Sequence, residues 1–165
     1  PSDKPTTLRE RELLALLGAA DTKPDGAIKA SIELGLLYVH ERRLTEANER
    51  FDKLRQKSAD WNPAAARTAA LVGRFGQAVV LAHEDKAKAS NDLFLEAARD
   101  LPKGPILPKA DRPPASVNWT LLRYPDLSHA VSDALTRNAA NLGQSKLEPP
   151  ALEQLRAPAR VGKKE

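Results

Sequence analysis

The chain has 165 residues, a formal net charge of +4 and no cysteine, which excludes disulfide frameworks, thiol nucleophiles and cysteine-ligated metal sites. Hydrophobic residues make up 41% of the sequence but aromatic residues only 4%, a balance that favours closely packed helices over a β-sandwich. No apolar run approaches the ~18 residues that a membrane-spanning helix needs, so we expect no membrane insertion.

The first predicted element is a helix that begins near Thr7. The run Thr7-Leu8-Arg9-Glu10 has the arrangement of a capping box, in which the hydroxyl accepts from the amide of Glu10 and the glutamate side chain reaches back to the amide of Thr7. The helix extends to about Ala20. Its apolar stripe consists of Leu13, Leu14, Leu16 and Leu17. It is either the outer half of an incomplete repeat or a cap on the helices that follow.

Two helices joined by a short turn are predicted next. Over residues 25–43 apolar side chains lie nearly all round the helix, so it must be covered on more than one side. The helix at 45–58 is instead solvated, with one narrow apolar stripe. That stripe is formed by Leu44, Ala47, Phe51 and Leu54. Because Gly35 and Ala47 lack bulk, we expect the inner and outer helices of this hairpin to approach closely.

Five residues of this hairpin carry a family pattern. They are Leu34, Gly35, Tyr38, Ala47 and Phe51. Their spacing resembles the tetratricopeptide repeat (TPR), which runs W-x2-L-G-x2-Y, then A-x3-F, then P. The chain departs from that pattern at Ser31, in the place of the tryptophan, and at Ala59, in the place of the closing proline. The resemblance implies a helical repeat whose inner helices line a concave, peptide-receiving surface.

A second, divergent copy follows. The sequence predicts an inner helix at 64–82, apolar on every side, and an outer helix at 87–100 with Asp85 as the N-cap. The outer stripe consists of Ser90, Leu93, Phe94 and Ala97. Aligning Phe94 with Phe51 puts Ala78 in the place of Gly35. The two phenylalanines are further apart than the about 34 residues of an ideal array.

Beyond the repeats the sequence changes character. Residues 103–115 are rich in proline, which a helix cannot tolerate in its interior, so we expect a linker. Residues 117–121 alternate like a short strand, and a helix is predicted at 126–142 with Gly143 as its stop. Its apolar face consists of Leu127, Val131, Ala134, Leu135 and Leu142. We expect this face to cover the exposed side of the second inner helix.

The sequence therefore predicts an all-α protein: an antiparallel helix-hairpin, TPR-like array with a proline-rich linker and an additional C-terminal helix. The predicted parts are a repeat domain at 7–102, a linker at 103–115, a docking segment at 116–145 and a flexible basic tail at 146–165. Because the chain opens on proline and lacks methionine, we expect an internal fragment or a mature product cut from a longer protein. Our leading hypothesis is an interaction module within a larger bacterial protein. We expect it to be soluble, in the cytoplasm or exported.

Neither catalysis nor nucleic-acid binding is predicted. The three histidines lie in separate elements, and the sequence has no Walker loop, zinc-binding H-E-x-x-H or dinucleotide fingerprint. We therefore expect no catalytic residue, metal or cofactor. Basic and acidic side chains are interleaved through residue 102 instead of clustered on one face, as phosphate binding requires. A helical enzyme or a nucleic-acid binder is the least favoured alternative.

The TPR resemblance implies that inner-helix side chains form a partner-binding surface. They are Ile32, Leu36, Val39 and His40 from the first repeat, with Phe75, Val79 and His83 from the second. This surface is mostly apolar, so the expected ligand is an apolar helix or strand of another protein, or a second copy of the chain as a homodimer. The alternative is a structural or oligomerisation domain whose groove is filled by its own residues 116–142.

Overall fold

A computed structural model describes residues 7–19, 21–57, 60–99, 121, 123–145, 147, 152 and 155. Over these residues the protein consists of six α-helices without a strand, which confirms the all-α prediction. The helices are α1 (Leu8–Gly18), α2 (Pro24–His40), α3 (Leu44–Lys57), α4 (Pro63–His83), α5 (Ala87–Arg99) and α6 (Pro125–Asn141). The predicted linker at 103–115 lies outside the described residues. So does the predicted strand at 117–121, apart from Leu121, which is helical.

Local sequence signals set where the helices begin. The hydroxyl of Thr7 accepts a hydrogen bond from the Glu10 amide at 3.0 Å, so the first half of the predicted capping box is present. The side chain of Asn62 caps α4 in the same way, accepting from the Ala65 amide at 2.9 Å. Helices α2, α4 and α6 each begin on proline, whose missing N–H costs nothing in the first turn of a helix.

The same helices, α2, α4 and α6, also end alike. After each one, a residue takes up the left-handed conformation, and the amide that follows it donates to a carbonyl five residues back. The left-handed residues are Arg42, Asp85 and Gly143, at φ 62°, 63° and 69°. This is the Schellman motif, which satisfies the last carbonyls of a helix. Gly143 is thus the predicted stop, but Asp85 is not an N-cap, because it lies in the turn and α5 begins only at Ala87.

The helices pack as successive hairpins. Helix α1 packs on α2, α2 on α3, α3 on α4 and α4 on α5, while α2 also contacts α4 directly. Phe51 of α3 is the side chain at which α2, α3 and α4 meet. A Cβ atom placed on Gly35 of α2 or on Gly76 of α4 would come within 3.0 Å of its ring. Because Gly35 has no side chain, the Phe51 ring fits against the α2 backbone, where it is fully buried.

Helix α6 covers the hairpins from one side, packing on α4, α5 and α2. Leu127, Val131 and Leu135 on its apolar face are fully buried, as the spacing predicts. The prediction is wrong for Leu142, which is 41% exposed because the helix ends one residue before it. The segment predicted as a flexible tail also needs correction. Three of its residues, Leu147, Leu152 and Leu155, are buried in the same core as α6.

Candidate functional site

The predicted partner-binding residues do not form one open surface. Four of them are buried: Ile32, Val39, Phe75 and Val79, at 4%, 7%, 0% and 1% exposure. Leu36 and His83 are partly buried and His40 is exposed. The burial follows from the helices that pack on α2 and α4 from several sides, including α6, which the sequence predicted to cover the second inner helix.

Helix α6 packs on α4, α5 and α2. Ile32, Phe75 and Val79 belong to the same core cluster as Leu127, Val131 and Leu135 of α6, and we call the first three the inner-helix face. Val39 belongs to a separate cluster around Phe51 and Tyr38. The inner-helix face therefore lies in a core that α6 helps to form, together with α5 residues such as Phe94.

Buried polar contacts fix α6 near its C-terminal end. The Asn138 side-chain amide donates to Ser90 Oγ at 2.9 Å and to Asn91 Oδ1 at 2.8 Å. Ser90 Oγ in turn donates to the carbonyl of Ala78 at 2.7 Å. All three side chains in this α5–α6 network are at most 5% exposed. Because a buried polar group must find its partner in one geometry, the network sets the register of α6.

A second set of contacts holds the start of α6. The Asp25 carboxylate at the N-terminus of α2 accepts from Arg123 Nη2 at 3.2 Å and from the Tyr124 hydroxyl at 3.3 Å. Burial, more than the neighbouring charges, raises the pKa of Tyr124 to about 12. The hydroxyl therefore stays protonated and donates to Asp25 at physiological pH. Polar contacts anchor α6 at both of its ends.

A buried ion pair joins α1 to the turn between α2 and α3. Arg43 donates through Nη1 to Glu10 Oε1 at 3.0 Å and through Nη2 to Glu10 Oε2 at 3.2 Å. The Tyr38 hydroxyl donates to the same carboxylate at 2.8 Å. The side chains of Arg43 and Glu10 are 5% and 4% exposed. The hydrogen bonds from Arg43 hold the pKa of Glu10 below its ordinary value, against the opposing effect of burial.

The sequence did not indicate this ion pair. The capping-box pattern assigned the Glu10 side chain to the amide of Thr7, whereas its oxygens accept from Arg43 and Tyr38. Glu10 and Arg43 are 33 positions apart, and no periodic pattern connects them. The available signal was a charged residue on the buried side of α1, about one helical turn before Leu13 and two turns before Leu17.

A cleft opens between α1, α2, α3 and the connection that leads to α4. Its volume is about 360 Å³. It is lined by Leu17, Ala27, Ser31, Arg50, Lys53, Leu54, Gln56 and Trp61. Leu17 and Leu54 belong to predicted apolar stripes, but no sequence pattern predicts this cleft, because its walls come from four separate segments. We call it the α1–α3 cleft.

The described part of the chain contains no cluster of three or more His, Cys, Asp and Glu side chains suited to a metal ion. None of the described helices is both long enough and apolar enough to span a membrane. His83, at the end of α4, is partly buried, and burial together with Arg137 and Arg42 lowers its pKa.

Comparison with protein-family models, with curated proteins and with solved structures gives no match to this chain.

Proposed function

We propose that this chain is a non-catalytic protein-interaction module of TPR type, in which α2–α5 present a helix-binding face and α6 is the helix bound there. The observation that carries the proposal is the burial of an amphipathic helix against the face that the TPR resemblance assigns to ligands. Phe75 and Val79 of that face share a core cluster with Val131 of α6. A partner protein then binds by presenting a similar helix in the place of α6.

The sequence of α6 defines what such a partner must present. Its buried positions Leu127, Val131 and Leu135 recur at intervals of four residues. Helix-in-groove ligands anchor themselves through apolar side chains at this kind of spacing. The chain between α5 and α6 spans residues 100–124 and is rich in proline, a composition typical of spacer segments.

A second function, a purely structural domain, is favoured by one observation. The Asn138 amide is buried at 0% exposure and bonded to both Ser90 and Asn91. Such a network is typical of a permanent core, because separating its members leaves buried polar groups without partners. In that case α6 is part of the fold and the inner-helix face never meets another protein.

A peptide that contains residues 121–145 distinguishes the two functions. Val131→Asp in the full chain places a carboxylate in the core and displaces the chain's own α6. The proposal expects this variant to bind the added wild-type peptide, measured by fluorescence anisotropy of a labelled peptide. The matched control is Thr136→Asp, an exposed position of the same helix, which should bind no more peptide than the wild type. If the Val131→Asp chain is folded but does not bind the peptide, the result supports the purely structural function.

Amide hydrogen exchange on the unmodified chain gives an independent reading. If α6 leaves the face, its amides exchange through a partial opening at lower free energy than the amides of α4. If α6 is a permanent part of the core, both helices exchange only through global unfolding. Equal free energies of opening for α6 and α4 would therefore contradict the interaction proposal.

A further inference from the structure

The α1–α3 cleft combines apolar walls with a cationic edge. Leu17, Ala27 and Leu54 line it together with the partly buried ring of Trp61. Arg50 and Lys53, one turn apart on α3, also line it, and its lining includes no acidic side chain. A cleft of about 360 Å³ falls within the range of small-molecule sites, which are mostly apolar with a few placed polar groups. None of its lining residues belongs to α6.

Among the described residues, no acidic side chain lies close enough to Arg50 to raise its pKa. Its Nε is buried and has no hydrogen-bond partner in the described part of the chain. The acid one helical turn before it, Glu46, instead accepts from Arg43 Nε at 2.8 Å. Burial lowers the pKa of Arg50, but a guanidinium remains charged in proteins. A partly buried charge of this kind is stabilised by an anion that brings its own oxygen acceptors.

We propose that the α1–α3 cleft binds a small organic carboxylate with an apolar body, whose carboxylate pairs with Arg50 and Lys53 and whose body lies against Leu54 and Trp61. The guanidinium supplies two parallel N–H donors to a planar carboxylate, a geometry that a lysine cannot provide. Lys53 adds a second positive charge from the exposed rim. The hydroxyl of Ser31, on α2, gives the cleft a further polar group at its wall.

The apolar walls distinguish this ligand from a simple anion. Inorganic phosphate would lose hydration against Leu17 and Leu54 without gaining contacts there, because burying a charge beside apolar groups is costly. An arylalkanoate matches both parts of the cleft, because its carboxylate can pair with the cationic edge while its aromatic body packs on the apolar walls. The inference does not depend on α6 or on the proposed binding of a partner helix, and it would stand if that proposal were wrong.

The test is a titration of the full chain with hydrocinnamate, followed by heteronuclear NMR. Signals of the Arg50 Nε–H and the Trp61 indole N–H should shift together and saturate with a dissociation constant of about 1 mM or lower. The neutral amide of the same acid and inorganic phosphate should each bind at least about tenfold more weakly, since each lacks one of the two matched parts.

Two substitutions assign the site. Arg50→Gln should weaken hydrocinnamate binding about tenfold, and Lys53→Gln, at an exposed position whose loss leaves the fold intact, about threefold. Arg67→Gln, on the exposed side of α4, is the matched loss of one positive charge and should change nothing. The proposal is overturned by any of three results: no saturable shift, equal binding of the amide or of phosphate, or unchanged affinity in both cleft variants.

Discussion

Replacing Arg43 with methionine should destabilise the protein more than any change to one of its exposed ion pairs. The guanidinium is 5% exposed and is the only cation with a recorded hydrogen bond to the equally buried Glu10 carboxylate in the described structure. Removing one member of a buried pair leaves the other charged and unpaired, which costs about 3–5 kcal/mol. The stem of methionine keeps most of the packing volume, so the loss measures the charge and its hydrogen bonds.

Replacing the other member of the pair, in Glu10→Gln, should reduce the free energy of unfolding less than Arg43→Met does. This difference between the two variants is a stricter test than either loss alone. In Glu10→Gln, Arg43 still contacts Glu41 at 3.0 Å and Glu46 at 2.8 Å, so its charge stays compensated. The remaining cost, about 1–3 kcal/mol, comes from weakened hydrogen bonds to Arg43 and Tyr38. The double variant should cost less than the sum of the two single variants, because both remove the same interaction.

Urea unfolding followed by far-UV circular dichroism measures these free energies. Arg9→Met is the control, because Arg9 forms an ion pair with Glu33 across α1 and α2 at 2.6 Å but both side chains are exposed. It should move the unfolding midpoint far less than Arg43→Met does. An Arg43→Met midpoint equal to that of the control, or a larger loss for Glu10→Gln than for Arg43→Met, would refute the reasoning.

The same pair makes an acid-titration prediction. Arg43 holds the pKa of Glu10 below its ordinary value of 4.5, so the folded state binds this proton less readily than the unfolded state. The stability from the pair is therefore fully present above about pH 4.5 and is lost as pH falls through the lower, folded-state pKa. The difference in stability between wild type and Arg43→Met should accordingly shrink in acid. A difference that stays constant down to pH 3 would contradict this assignment.

Three further outcomes are expected. Gly76→Ala forces a Cβ against the Phe51 ring and should cost about 1–3 kcal/mol in thermal or urea unfolding, whereas Gly18→Ala, with open space around it, should be neutral or slightly stabilising. Burial lowers the pKa of His83 from 6.5, so the unfolded chain takes up this proton more readily than the folded one. The free energy of unfolding should therefore fall as the pH drops below about 6.5, and His83→Gln should remove this part of the pH dependence. Asn138→Ala leaves Ser90 Oγ without its donor and should speed amide exchange in α6 before it affects α4; uniform acceleration would contradict a local role.

Binding of a partner helix in the place of α6 and binding of a carboxylate in the α1–α3 cleft can be tested separately. Displacing α6 removes part of the core cluster that buries Phe75 and Val79, whereas a carboxylate bound near Arg50 leaves that cluster intact. A variant that loses one property should retain the other. Val131→Asp should keep hydrocinnamate binding, and Arg50→Gln should leave α6 protected from exchange.

Local sequence determined the helices of this protein. Inner-helix patterns at 25–43 and 64–82 became α2 and α4 with small shifts at their ends, because hydrophobic period and proline positions act over one or two turns. The narrow stripe on α3 correctly predicted the burial of Ala47, Phe51 and Leu54, while Leu44 at the helix start is only partly buried. A one-sided amphipathic helix has a single face to bury. The exposed Leu142 shows the limit of that pattern, because a stripe residue beyond the helix end loses its place on the face.

The tertiary structure decided which surfaces are covered and which charges meet. Glu10 finds Arg43 across 33 positions, Asn138 finds Ser90 across 48, and Arg50 is left beside an open cleft because its neighbouring acid bonds elsewhere. Periodicity states that a face must be buried but not by what, since burial depends on elements far apart in the chain. The pattern at 126–142 already predicts that this helix covers the second inner helix, and α6 does pack on α4. Only the tertiary structure showed the contacts that hold it there, through Asn138 and Tyr124.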